Sequence, residues 1–411
     1  MKNPLLIAFA FLSATFLSAR SETTYGEDLA FLKEHTGIIE LADDDQRVAI
    51  APAWQGRVMT STASGSAQPG FGWIHRGVIA RGIQPEAERT GLQKHIHVFG
   101  GEERFWLGPE GGPFALFFPP KAAQTFENWK TPAAIDTEPF DIVEQGTRQI
   151  VFSKDISLLN RAGTTLNLRA TRKVSLKTQS DLAAALGLDA LPEGVQAVAY
   201  QTDNTVKNTG EVAWNKESGA PSIWLLGMFK PTPQTTVAIP FLSGSGEVAN
   251  TNYAGFGQIP PDRVKLDSNV LFFNGDGTTR GKLGIKPKRA TPWAGSWQAD
   301  KGVLTLIKVD LPSSPPANQW PYADSQWKEG GDPFDGDALN SYNDGPASPG
   351  AEPLGPFYEI ESCSPALFLA PGETYTHTQQ TFHLTGQRAS LDAIARKTLS
   401  VGLDEIEKQI H

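Results

Sequence analysis

The chain has 411 residues, 36 of them Lys or Arg and 45 Asp or Glu, for a formal net charge of −9. That balance gives no electrostatic basis for binding nucleic acid or an anionic membrane surface, and a single cysteine, Cys363, excludes an internal disulfide. With 40 Gly, 30 Pro and few sustained 3.6-residue patterns, the composition argues against an α or α/β protein and for a large β core.

The chain opens with Met1-Lys2-Asn3, an apolar run from Pro4 to Leu17, and then Ala19-Arg20-Ser21. A basic start, a short hydrophobic stretch and small residues before a cut predict a signal peptide over residues 1–21, cleaved after Ser21. The run is too short to span a bilayer, and no later run is long or apolar enough, so no membrane insertion is expected. The remaining chain, 22–411, is expected to fold as one domain in the periplasm or outside the cell.

An amphipathic helix is predicted over Gly26–His35 and another over Ala389–Ile410. Between them the period is two. Strands are expected over Gln46–Ala53, Arg57–Ala63, Lys94–Phe99, Phe114–Phe118, Phe140–Phe152 and Thr165–Leu176, then Val195–Asn208, Ser222–Phe229, Asn269–Phe273, Val303–Val309, Phe357–Leu369 and Tyr375–Leu384. Separated by Gly, Pro, Asn and Asp turns, they describe stacked antiparallel sheets. Lys177–Gly194 reads as a small helical insertion. Leu311–Pro356 reads as a long loop whose aromatics, Trp320, Tyr322, Trp327, Phe334 and Tyr342, mark an ordered rim over a pocket.

Two clusters carry chemistry. In Lys94–Gly112 a strand would place His95 and His97 on one face. Gly100-Gly101 allows a sharp turn, and Arg104, Trp106 and Glu110 follow as a planar donor, a stacking face and an acceptor. That mixture suits a polyhydroxylated ring; a tight turn with satisfied ion pairs is the plainer reading. A His-x-His metal site would need a third ligand from elsewhere. In Phe357–Pro365, Glu359 and Glu361 share one face of a strand otherwise written for burial. Carboxylates pressed together there have split pKa values, so one can act as base and the other as acid or acceptor. An edge strand with both Glu in water is the alternative, but the apolar run to Leu369 favours a central strand. Asn343 and Asp344 sit in ordinary turn chemistry just upstream. No cofactor is expected; Asp332, Asp335 and Asp337 leave calcium as the alternative, at a spacing that fits no defined calcium loop. His377, Gln379, Thr381 and His383 alternate on one strand face, read as solvated rather than as a pocket wall.

These residues resemble the galactose-mutarotase-like superfamily, which includes the aldose 1-epimerases. The resemblance rests on the hairpin Val48–Val58, on Gly100-Gly101-Glu102-Glu103-Arg104-Phe105-Trp106-Leu107-Gly108-Pro109-Glu110, on the turn Val206-Lys207-Asn208-Thr209-Gly210, and on the late Glu strand. It implies an all-β supersandwich of stacked antiparallel sheets with short terminal helices, binding a mono- or oligosaccharide. It also implies that Glu361 or Glu359 matches the general base, that His97 sits near the early pocket histidine, and that Arg104 orients the sugar. The epimerases' second histidine, which protonates the ring oxygen, has no counterpart: the matching strand, Ser222–Met228, carries Trp224, and no His occurs between His97 and His377. Either another group, such as His95 or a residue of the long loop, supplies that proton, or the protein is not an epimerase; Trp224 and Trp320 count among the sugar-binding candidates. Three readings follow: an epimerase, isomerase or lyase; a non-catalytic glycan-binding protein; and a structural partner in an envelope assembly. The oligomeric state is open.

Overall fold

A computed structural model describes residues 22–312, 320–348 and 350–409. The predicted signal peptide, 1–21, lies outside the described residues, as do positions 313–319 and 349 of the long loop. No described helix is long and apolar enough to cross a membrane.

Two antiparallel sheets form the body. The larger has ten strands, centred on Thr374–Thr385, Gln196–Asn208 and Thr165–Leu176, with Asp141–Gln145 and Val264–Asp267 at its edges. The other has six, in the spatial order Ala249–Asn250, Gly281–Ile285, Leu339–Asn343, Tyr358–Cys363, Ser222–Phe229, Arg104–Gly108. A three-stranded sheet, Ile39–Asp43, Gln46–Ala51 and Arg57–Thr62, adjoins them. The all-β reading and its short terminal helices hold.

Alternation dictates the layering. Along Thr165–Leu176, Leu166, Leu168, Ala170, Arg172, Val174 and Leu176 are turned inward while their neighbours are more open. Ile307 and Val309 of the ten-stranded sheet meet Ile360 and Leu283 of the six-stranded one. The sheet's other face packs Leu304, Leu306, Phe382 and Leu384 against the terminal helices Arg388–Leu399 and Leu403–Glu407 through Leu391, Ile394, Leu399, Leu403 and Ile406. At about 25 cal/mol per Å² of apolar area buried, each such leucine or isoleucine contributes about 1.5–3 kcal/mol.

Because helices cover one face and the smaller sheets the other, the row His377, Gln379, Thr381 and His383 is buried, which corrects the solvated-face reading. It joins a polar network. Glu102 accepts from the Ser61 amide (2.5 Å) and hydroxyl (2.8 Å) and lies 3.1 Å from His383 Nε2. Glu103 pairs with Arg172 at 2.9 Å and accepts from Gln379, whose own oxygen accepts from Ser362. Ser362 Oγ also lies 2.8 Å from His377 Nε2.

Four local expectations fail. Gly91–Lys94 is a 3-10 turn rather than the start of a strand, and Gly91, Gly100 and Gly101 all take positive φ. The His97 amide bonds the Asp136 carboxylate instead of a neighbouring strand, so His95 and His97 do not share a strand face. Phe114–Phe118 is irregular, and Phe140–Phe152 is a hairpin between Asp141–Gln145 and Gln149–Leu159. Inside the predicted loop 311–356, Leu339–Asn343 forms a strand of the six-stranded sheet.

Candidate functional site

Strand Tyr358–Cys363 is central, flanked by Leu339–Asn343 and Ser222–Phe229. Tyr358 and Ile360 pack into the core shared with the ten-stranded sheet, so the period of two sends Glu359 and Glu361 to the opposite face. Register brings partners to that same face: Trp224 lies opposite both Cys363 and Trp106, Arg104 and Glu361 both lie opposite Leu226, and Tyr342 lies opposite both Glu359 and Lys282.

The side chains form a line with a cation at each end and two carboxyls between. Arg104 Nη2 donates to Glu359 Oε1 at 2.5 Å. The Glu359 and Glu361 carboxyls meet. Lys282 Nζ donates to both Glu361 oxygens at 2.9 and 2.8 Å, and the Trp224 indole N–H adds a bond of 2.7 Å to Oε2. The cations also stack, Arg104 4.6 Å from the Trp106 ring centroid and Lys282 4.7 Å from that of Trp224. The two indoles meet edge to face at 5.5 Å.

All four charged groups are buried, and burial sets their protonation. It pushes the Glu359 carboxyl up to about 8; Arg104 opposes this and the charge of Glu361 adds to it. Glu359 therefore holds its proton more tightly than an ordinary carboxyl does. Glu110 reaches the same site from the residues following the Arg104 strand. Burial pushes it up to about 7, with Lys282 opposing and Glu361 adding. Burial alone would lower the Lys282 ammonium, but Glu361, Glu110 and Glu359 hold it above its ordinary value.

Aromatic rings wall the site. Trp106 packs on Phe117 (5.2 Å), Phe117 on Trp129 (6.1 Å) and Trp129 on Trp327 (5.9 Å). The indole N–H groups of Trp106 and Trp129 and Nε of Arg104 are buried without a hydrogen-bond partner among the described residues, whereas the Trp327 side chain bonds the Glu110 carboxyl. A buried unpaired donor costs about 1–3 kcal/mol, so the Trp106 indole N–H and Arg104 Nε beside the glutamates are open to a polar ligand. A void of about 10 Å³ beside Lys282 is closed by Tyr253, Ala323, Ser325, Asp337 and Asn340.

Of the residues singled out in the sequence, Arg104, Trp106, Glu110, Trp224, Glu359 and Glu361 come together here. The others do not. His97 is buried on Asp136, its Nδ1 2.9 Å from Oδ2, with its Nε2 unpartnered, and has no contact with either glutamate. His95 Nδ1 lies 2.7 Å from the Trp129 carbonyl, and its ring packs on Phe126. Trp320 lies against Tyr375. Asn343 faces the other way and clasps the turn at Asp276 and Thr279. Asp344 acts one step back, accepting from the Tyr342 hydroxyl (2.8 Å) and the Gly355 amide. Asp337 is turned to Tyr253 and Lys286 while Asp332 caps the Phe334 amide, so the three aspartates considered for calcium do not converge. Among the described residues no group of three His, Cys, Asp or Glu side chains is placed to hold a metal ion.

Lys282 was missed in the sequence. Its strand, Gly281-Lys282-Leu283-Gly284-Ile285, is short, and its glycines hide the alternation. Gly284 is there for space: a side chain would collide with the Asp337 carboxylate and the Asn340 amide. The available signal was a lone lysine in a period-two run, in a chain already read as burying two glutamates.

Comparison with known proteins adds the following. No curated protein matches the chain. Solved structures similar to it include a protein from Escherichia coli K12 assigned provisionally as an aldose 1-epimerase (12% identity, 85% of this chain and 99% of that one, TM-score 0.46). A Synechocystis protein gives 11%, 86%, 96% and 0.48, and a galactose mutarotase-like protein from Lactobacillus casei gives 10%, 84%, 100% and 0.47. One family profile matches residues 23–410, so the chain belongs to the family of unknown function DUF6786.

Proposed function

We propose that this protein, exported to the periplasm or beyond, binds a mono- or oligosaccharide at the face of its six-stranded sheet turned away from the ten-stranded one, and acts on it by general acid/base chemistry. One observation carries the reading: two buried carboxyls on one strand face, one held by Arg104 and the other by Lys282, with the unpaired indole N–H of Trp106 beside them. Hydroxyl groups pair with such donors and acceptors, and sugar C–H faces stack on indoles. The ionised member, Glu361, takes the proton of the anomeric hydroxyl as the ring C–O bond breaks. The protonated member, Glu359, gives its proton to the ring oxygen, and reclosure on either face exchanges the anomers with protons returned. Lys282 stays an ammonium and stabilises the negative charge on Glu361. The acid that Trp224 cannot supply is then found two residues from the base.

A second reading, non-catalytic glycan binding, has its own support: both Glu361 oxygens are already engaged by Lys282 and Trp224, which weakens it as a base. Saturation-transfer NMR of the protein against a panel of mono- and oligosaccharides, repeated with Glu361→Gln, separates the two. Anomeric exchange that the wild type accelerates and the variant does not supports catalysis. Binding without exchange, equal in both proteins, leaves the lectin-like reading, and silence across the panel overturns the saccharide assignment.

A further inference from the structure

A second cavity lies away from the charged line. It has a volume of about 450 Å³ and lies where strand Val303–Val309 begins and strand Thr374–Thr385 ends, on the side of strand Tyr358–Cys363 opposite Glu359 and Glu361. A volume of this order holds a ligand of one or two sugar rings.

Its lining differs in kind from the charged line. Gln68, Gln196, Gln298, Thr62, Thr232 and Ser64 supply amides and hydroxyls, which donate as well as accept. Phe71 and Phe229 supply apolar faces. Both rings are braced from behind by buried His383, at 4.4 Å to Phe71 and 5.5 Å to Phe229. Lys301 pairs with Glu22 at 2.9 Å, and Lys230 lies 3.5 Å from Asp28, a carboxylate it shares with Arg76.

We infer that this cavity is a second ligand site, separate from the charged line, for a neutral polyhydroxylated molecule such as one or two saccharide units. Groups that both donate and accept match hydroxyls, which do the same, and the two phenyl faces take the apolar side of a ring. The inference does not depend on acid/base chemistry at Glu361.

The test is saturation-transfer NMR with glucose, galactose, maltose and cellobiose on the wild type and three variants. Ser64→Trp, at the partly open rim, fills the mouth; Gln196→Ala, at the exposed end of its strand, removes one amide without adding bulk. Glu361→Gln reports on the other site. The expected result is at least one sugar whose signal falls tenfold or more in Ser64→Trp and measurably in Gln196→Ala, yet is unchanged in Glu361→Gln. Should every signal follow Glu361 alone, or no sugar respond to either rim variant, the second site is overturned. If Ser64→Trp does not fold, an unchanged signal in Gln196→Ala overturns it by itself.

Discussion

Two pairs of glutamates are buried in this molecule, and they behave differently because of one residue of spacing. Glu102 and Glu103 are adjacent, so their side chains leave the backbone in different directions and each finds its own donors: Ser61 and His383 for one, Arg172 and Gln379 for the other. Glu359 and Glu361 are two apart on a strand, leave on the same face and meet. Separate donors let a buried carboxylate serve as a structural tie, whereas a shared face makes two carboxyls compete for one proton, which is the condition for acid/base work.

The largest effect should come from breaking the line at its most paired member. Glu361→Ala leaves the Lys282 ammonium buried without its carboxylate, and the expected loss is about 3–5 kcal/mol in urea denaturation at pH 7. Removing both partners, Glu361→Leu with Lys282→Met, should cost far less than the sum of the single changes; additive losses would mean the pair is not coupled.

At the structural pair, Glu102→Gln turns one of two acceptor oxygens into a donor facing the Ser61 or His383 donors. A loss of about 1–3 kcal/mol is expected, with no change in ligand binding at the charged line. Loss of binding instead would erase the distinction between the two pairs. Trp224→Phe removes a single N–H from Glu361 and keeps Lys282, so about 1 kcal/mol is expected by the same measurement.

The smallest change at pH 7 is Glu359→Gln, below about 1 kcal/mol, because the amide imitates the protonated acid. Its signature lies in pH dependence. The folded carboxyl is pushed from 4.5 up to about 8, so the stability it contributes is fully present below pH 4.5 and is lost as pH rises to 8. His377, in the other network, has the opposite sign: burial takes it from 6.5 down to about 4, so its contribution is present above pH 6.5 and is lost as pH falls through 4. Glu359→Gln should flatten the alkaline slope of stability against pH, and His377→Gln the acid slope. Either variant flattening the wrong side would reassign the titrating group.

Much of the frame was legible because period two is a local property. Thr165–Leu176, Ser222–Phe229 and Val303–Val309 were read with the bounds they have, and the apolar run after Glu361 marked a central strand. Strands that lack such a pattern were not legible. Gly281–Ile285 and Leu339–Asn343 are five residues each, one broken by glycines and the other written in Asn, Ser and Tyr; they exist because neighbouring strands supply their hydrogen bonds. The row His377–His383 looked solvated since alternating polar residues usually face water. Only the cover on both sides of the sheet buried it.

The sequence by itself determined an all-β chain with two glutamates on one face of a buried strand, and Arg104, Trp106 and Glu110 in one run, because face and proximity along a chain follow from backbone geometry. Tertiary structure alone decided which cations meet those glutamates. Lys282 lies 79 residues from Glu361 in the chain, and Arg104 lies 255 from Glu359. Pairing across strands that distant depends on sheet order and register, which no local pattern encodes, and it is the resulting burial that sets the protons.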